Sequence, residues 1–302
     1  LRLKDVATRW WTEVGQHHSG SQNSWHQLGR LLTFFGGDRA LTDIADSEVA
    51  ALVAWRRGHP GKRGLLTAFA VNDTTEQLKK LFTRAKTWGA RFDREPKWRE
   101  HWLKEPQERV RELVGDEGER LDAATRDDYL PFFRFAQATG LRLRECLLRW
   151  SEVDWDAGQI RKLGKGRKLV TRPITPTIHA ILSPLRGHHP EVVFTFVADR
   201  DRDGRKRGER YPMSYNGVKS HWRYLRKLAG VTDFRFHDFR HDFGTKLLRE
   251  TGNLKLVQKA LNHANLKTTS RYAHVLDGEV AEAMERVAKS RKKSRTKLKI
   301  VS

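Results

Sequence analysis

The chain has 302 residues, 38% of them hydrophobic and 32% charged, with a formal net charge of +22. That length suits two domains with separate cores, while no apolar run reaches the roughly 18 residues of a membrane span and no secretory leader pattern opens the chain. Removing the seven Lys and Arg of the acid-free tail 289–302 still leaves +15, so the excess charge belongs to the folded body, and a polyanion, nucleic acid before membrane, is the expected partner.

Residues 1–104 read as helices joined by short turns. Apolar periodicity runs through Val6–Val14, Trp25–Phe35, Val49–Trp55 and Leu78–Trp88, broken at Gly36-Gly37 and Pro60-Gly61. Asp73 and Glu76 suggest a capping box for the fourth helix. His17 and His18 leave a helix in different directions and read as a solvated pair, not a metal site. The charged stretch 92–120, with Pro96 and Pro106, puts a domain boundary near 105. One helical domain therefore covers 1–104, and a second covers 105–302 and ends in the basic tail.

In that second part Asp127–Ala138 is a predicted helix stopped by Thr139-Gly140, with another helix starting near Arg142. Cys146 is the single cysteine, which excludes an intrachain disulfide and fits a reducing cytosol; a buried structural thiol is the reading there. Val153–Asp156, Gln159–Leu163 and Leu169–Ile174 form a predicted three-stranded meander with turns at Ala157-Gly158 and 164–166. Helical patterns return at 177–186, 215–229, 239–250, 253–262 and 267–288, and Asp199–Arg210 reads as an exposed loop. The expected fold class is mostly α with a small antiparallel sheet, α+β.

Several residues carry candidate chemistry. Guanidinium groups grip two phosphate oxygens at once and stay charged, so Arg142 and Arg240, from separate segments, suit a phosphate clamp. Lys165 stands between two glycines in a hairpin turn that would push a cationic side chain towards a ligand. It is placed to give a proton to a leaving oxygen, which a guanidinium does poorly. Gly164-Lys165-Gly166 lacks the rest of a nucleotide-binding P-loop. His237 and Arg240, three apart at a helix start, face one side. His237 and His241 have the spacing of a zinc helix, but the intervening arginine argues against metal.

His263 and Tyr272 on one unbroken helix would stand about 13 Å apart along its axis, on opposite faces. A chain break at Asn265-Leu266 would let them share a site. The run Arg161–Arg172 carries six cations and no acid, which suits a hairpin contacting a DNA backbone through Arg161, Lys162, Arg167, Lys168 and Arg172.

The ordered set as a whole resembles the catalytic domain of tyrosine recombinases of the phage integrase family. The matching boxes are Thr139-Gly140-Leu141-Arg142, Gly164-Lys165-Gly166, His237-Asp238-Phe239-Arg240-His241, and Leu261-Asn262-His263 followed by Arg271-Tyr272-Ala273-His274. The resemblance covers about 105–290, and residues 1–104 look like that family's core-binding domain. It implies that Tyr272 attacks a DNA phosphate to give a 3′-phosphotyrosine and a free 5′-hydroxyl. Arg142, Arg240 and His263 would stabilise the pentacoordinate phosphorus, Lys165 would act as general acid, His237 would assist proton transfer, and Glu145 would position the site. No metal, ATP or other cofactor is expected.

The resemblance also implies integration and excision of a mobile element in a bacterial cytoplasm, at att-type sites in double-stranded DNA. A tetrameric synaptic complex is expected, with the tail docking on a neighbouring protomer and accessory DNA-bending proteins as candidate partners. An arm-binding domain, carried by many phage integrases before the core-binding domain, is not visible. Asn262 replaces a frequent Gly of the family, and Asp242 replaces a small residue. A type IB topoisomerase and a non-cleaving DNA-binding protein are the rival readings.

Overall fold

Apolar residues three and four apart give each amino-terminal helix one inner face. Helix α1 (Leu3–Glu13) buries Leu3, Val6, Ala7 and Trp10, and α2 (Ser21–Phe35) buries Leu28 and Leu31. Helix α3 (Asp46–Arg57) contributes Val49 and Leu52, and α4 (Ala68–Thr87) contributes Leu78, Leu81, Phe82 and Ala85. These side chains and Trp98 make one core. The computed structural model describes residues 1–61, 64–106, 109–164, 168–276, 284–285 and 287–289. It divides the chain into two compact units, Leu1–Gln107 and Glu108–Ser302.

The start of α4 differs from the expected capping box. The helix begins six residues earlier, because the Thr67 hydroxyl accepts the Ala70 N–H at 3.3 Å and caps its first turn. Asp73 instead accepts hydrogen bonds from Asn23 Nδ2 (2.8 Å) and Gln27 Nε2 (2.6 Å), which ties α4 to α2. Behind it runs a buried polar chain: Arg56 Nε donates to Thr74 Oγ1, whose hydroxyl donates to Gln27 Oε1 at 2.8 Å. A short antiparallel pair, β1 (Pro60–Gly61) with β2 (Gly64–Leu65), separates α3 from α4.

The second unit opens with α5 (Glu117–Ala124), α6 (Leu130–Thr139) and α7 (Leu143–Cys146). Helix α6 starts later than expected. Asp128 spends its carboxylate on Arg126 and on the Val197 N–H at 2.7 Å, which holds a turn there, and Pro131 fits the first helical turn. An antiparallel sheet follows, in the order β3 (Val153–Asp154), β4 (Gln159–Leu163), β5 (Leu169–Pro173).

Next come α8 (Pro176–Leu182), the antiparallel pair β6 (Thr195–Val197) and β7 (Arg210–Pro212), and α9 (Tyr215–Leu228). The stretch expected as a loop at 199–210 thus largely links a two-stranded ladder of three residues each. Helices α10 (Asp238–Thr251), α11 (Leu254–Ala260) and α12 (Leu266–Thr269) end in a 3₁₀ turn at Ser270–Leu276. Residues 277–283 of the helix expected at 267–288 lie outside the described residues. Phe132, Phe133 and Phe135 of α6 form the centre of the core with Phe194, Trp222, Phe234, Phe236 and Phe239. No described helix is long and apolar enough to cross a membrane.

Gly140 closes α6 in the left-handed region, at φ +59°, with its N–H on Ala136 O. A Cβ there would stand 2.5 Å from the Phe243 ring. Gly140→Ala is therefore expected to cost the folded chain about 1–3 kcal/mol, from backbone strain and the ring clash together. Urea unfolding followed by tryptophan fluorescence checks this, and an unchanged midpoint would contradict it.

Candidate active site

The site begins at the turn between α6 and α7. Arg142 caps α7, and Glu145 folds back on it: Oε2 accepts the Arg142 backbone N–H and Oε1 accepts Nη1, each at 2.9 Å. The carboxylate is buried, whereas the Arg142 side chain keeps 36% of its surface exposed. Two further guanidinium groups lie beneath the turn. Arg240, from α10, donates Nη1 to Gly140 O at 2.9 Å and Nη2 to Leu261 O. Arg172, from β5, donates Nε to Thr139 O at 3.2 Å and Nη1 to Thr171 O at 2.8 Å. Its Nη2 is buried without a hydrogen-bond acceptor.

Two buried cations therefore hold successive carbonyls of the segment that presents Arg142. Burial, with Arg142 adding repulsion, pushes Arg240 down to about 10, still charged at neutral pH. Burial also lowers Arg172. Glu145 is the carboxylate that offsets both, so the pocket retains a positive excess. Cys146 lies directly behind, fully buried, with Sγ against Leu141 O at 3.6 Å; burial and Glu145 push its thiol far up. It is the structural thiol expected.

On the other side His237 stands at the start of α10, its ring edge-on to His241 at 5.2 Å between centroids. His241 Nδ1 lies 3.0 Å from the Tyr272 hydroxyl, and both residues are buried. The His263 ring is parallel to that of Tyr272, 5° apart in plane and 6.5 Å between centroids. His263 Nδ1 contacts Thr269 Oγ1 at 2.9 Å; with that hydroxyl donating, the ring proton sits on Nε2. Gly244 on α10 makes room for the phenol, since a Cβ there would meet the Tyr272 ring at 3.0 Å.

The chain break expected between His263 and Tyr272 stands at Asn265-Leu266, where α12 begins, and a further bend precedes His263. Asn262, after α11, adopts φ +49°, and Asn265 then caps α12 by accepting the Lys267 N–H at 2.9 Å. Asparagine is among the few side chains that tolerate the left-handed region, which accounts for its standing where the family often has Gly. Asp242 is turned to the Leu113 N–H (2.9 Å) and to Lys246 (2.9 Å), so its charge is offset locally.

Lys165 and Arg167 lie outside the described residues; the adjacent Gly164 lines one cavity with Arg142, Glu145 and His237. The basic hairpin differs from the uniform DNA-facing surface expected. Ile160 stands opposite Arg172 and Lys162 opposite Val170, so strand alternation turns Lys162 and Arg172 inward. Lys162 Nζ is held by Leu147 O (2.6 Å) and Glu152 Oε2 (2.8 Å). Arg161 is exposed but pairs with Asp154 at 3.2 Å, and Lys168 is exposed. The residue that sequence reasoning passed over is His241. It stood in the box His237–His241 and at the spacing of a zinc helix, but neither pattern assigned it a role.

Burial, then Arg240 and Arg142, push His263 down to about 4, so it is neutral at pH 7. An unfolded histidine titrates near 6.5. Between those values the unfolded chain binds the extra proton, so this histidine's contribution to stability is complete above pH 6.5 and is lost as pH falls towards 4. Two-dimensional NMR of the imidazole carbons should place the His263 midpoint well below the ordinary histidine value of about 6.5; a midpoint near that value would refute the assignment.

The sequence pattern described as the phage integrase family matches residues 111–279, more than half of the chain. Over 144 residues the chain is 33% identical to the tyrosine recombinase XerC of Staphylococcus haemolyticus, covering 46% of each protein. Over 188 residues it is 27% identical to the integrase of Salmonella phage P22, covering 60% of this chain and 48% of the phage protein. The chain thus matches about half the length of these curated relatives. The Tn1549 transposon integrase, solved in complex with transposon right end DNA, superimposes with a TM-score of 0.71 at 15% identity, covering 95% of this chain and 100% of that one. A lambda integrase dimer bound to a COC′ core site gives 0.66 at 18% identity, covering 90% and 95%. These two likenesses are of fold, and together with the sequence match over 111–279 they fit one conclusion: the chain belongs to the phage integrase family.

Proposed function

We propose that this protein is a site-specific tyrosine recombinase that cuts and rejoins duplex DNA for integration and excision of a mobile element. The observation that supports it best is the phenol of Tyr272, hydrogen-bonded to one imidazole and stacked beside another. It lies within the electrostatic reach of Arg240. In the proposed reaction Tyr272 Oη bonds to phosphorus, the P–O5′ bond breaks, and a 3′-phosphotyrosine forms. With His241 in the tautomer that leaves Nδ1 unprotonated, the phenol proton passes to that nitrogen, 3.0 Å away. Arg142, Arg240 and the neutral His263 donate to the phosphoryl oxygens, Lys165 protonates the leaving 5′ oxygen, and His237 supports the proton path. Glu145 holds Arg142 in place. The ester keeps the bond energy, so reversal needs no ATP or metal.

Tyr272 is 1% exposed, so attack requires α12 and the following turn to open when DNA binds. Such short elements are among the cheapest in a fold to rearrange. Residues 1–107 then serve as the core-binding domain, and Arg161 and Lys168 contact backbone phosphates beside the cut. Four protomers on paired att-type sites, with DNA-bending accessory proteins, form the synaptic complex. The tail 289–302, whose residues 290–302 lie outside the described ones, docks on a neighbour.

A nicked duplex carrying the recognition site should trap a covalent adduct with the protein, visible as a slower band in denaturing gels. Tyr272→Phe should abolish the adduct, and Arg142→Ala should slow it by about 10²–10³-fold. An adduct that survives Tyr272→Phe would move the nucleophile elsewhere. Relaxation of any supercoiled plasmid irrespective of site would favour a type IB topoisomerase, and specific binding without an adduct would favour a non-cleaving protein.

A further inference from the structure

The open side of the arginine clamp is a cavity of about 630 Å³, in the size range of small-ligand sites. Its lining combines one group, Arg142 and His237, with a second, Arg144, Tyr215 and Lys219, and with Phe236. The second group has no part in the chemistry proposed above. The Arg144 guanidinium carbon lies 4.3 Å from the centroid of the Tyr215 ring, and Lys219 Nζ lies 5.3 Å from the same centroid. Tyr215 begins α9, and Lys219 follows it by four residues on one face of that helix.

The nearby cations Arg142, Arg161 and Lys162 are each matched by Glu145, Asp154 and Glu152. Arg144 and Lys219 form no ion pair with any described residue; what orders them is the face of one aromatic ring. Two exposed cations, organised without a counter-ion and opening into the same cavity as Arg142, make a preformed anion site. An anion held there would sit beside a phosphate held by Arg142.

We infer that Arg144 and Lys219, braced by Tyr215, form a subsite for the phosphodiester next to the one attacked by Tyr272. This rests on the proposed recombinase reading and deepens it. The subsite fixes the register of the strand, so that a single phosphorus reaches the nucleophile. Arg144 and Lys219 are positioning residues in this scheme, because they hold the neighbouring phosphate and not the reacting one.

The test couples protein and DNA charges. Nicked duplexes are made with a neutral methylphosphonate one position 5′ or one position 3′ of the cleaved phosphate, and adduct formation is timed for the unsubstituted protein, Arg144→Gln and Lys219→Gln. The expected result is a loss of about tenfold from either protein change on natural DNA, a similar loss from methylphosphonate at one of the two positions, and no further loss when both are combined. Arg142→Ala should remain fully additive with that methylphosphonate. Additive losses at both positions for Arg144→Gln and Lys219→Gln overturn the subsite while leaving the recombinase reading intact. Absence of any adduct with natural DNA overturns both.

Discussion

The hold of two buried guanidinium groups on successive carbonyls, Thr139 and Gly140, is the constraint on which the second unit's chemistry depends. Arg172 comes from the sheet and Arg240 from α10, so the turn between α6 and α7 is tied to two distant parts of the chain. Burying a cation is costly unless its donors are satisfied; apart from Arg172 Nη2, which finds no acceptor, the donors here meet main-chain oxygens that cannot leave without unravelling the turn. Arg142 is thereby delivered with its backbone fixed and its guanidinium still partly open to solvent. The buried Glu145 supplies enough negative charge to make this arrangement stable and too little to cancel it.

Much of this was legible in the residues, and the parts that were not share a cause. Helices with an amphipathic period, such as α2, α9 and α10, appear where the pattern puts them, within a few residues. So does the meander, because two of its three strands are five residues long and bounded by turns. The pair β6–β7 was missed because three-residue strands around a charged loop carry no period. The α4 start was misplaced because Asp73 found partners 46 and 50 residues away in α2, and no local pattern encodes those.

The hairpin cations show the same limit in another form. Composition counted six positive charges between Arg161 and Arg172, but pairing register decides which face each one occupies. Lys162 fell on the inner face and was neutralised by Glu152, and Arg172 became structural. The local boxes marked the residues around Arg142, Arg240, His263 and Tyr272. They contained His241 without disclosing its role, because its partner lies 31 residues further along and meets it only in the folded chain.

The thiol of Cys146 carries one more consequence. Oxidants attack the thiolate, and burial beside a carboxylate keeps this sulfur protonated and out of solvent's reach. A sulfenic acid at this position would push polar bulk into the packing directly behind Arg142. Because the sulfur is shielded, oxidation of this thiol is disfavoured and the packing beside the neighbouring arginines is protected from it.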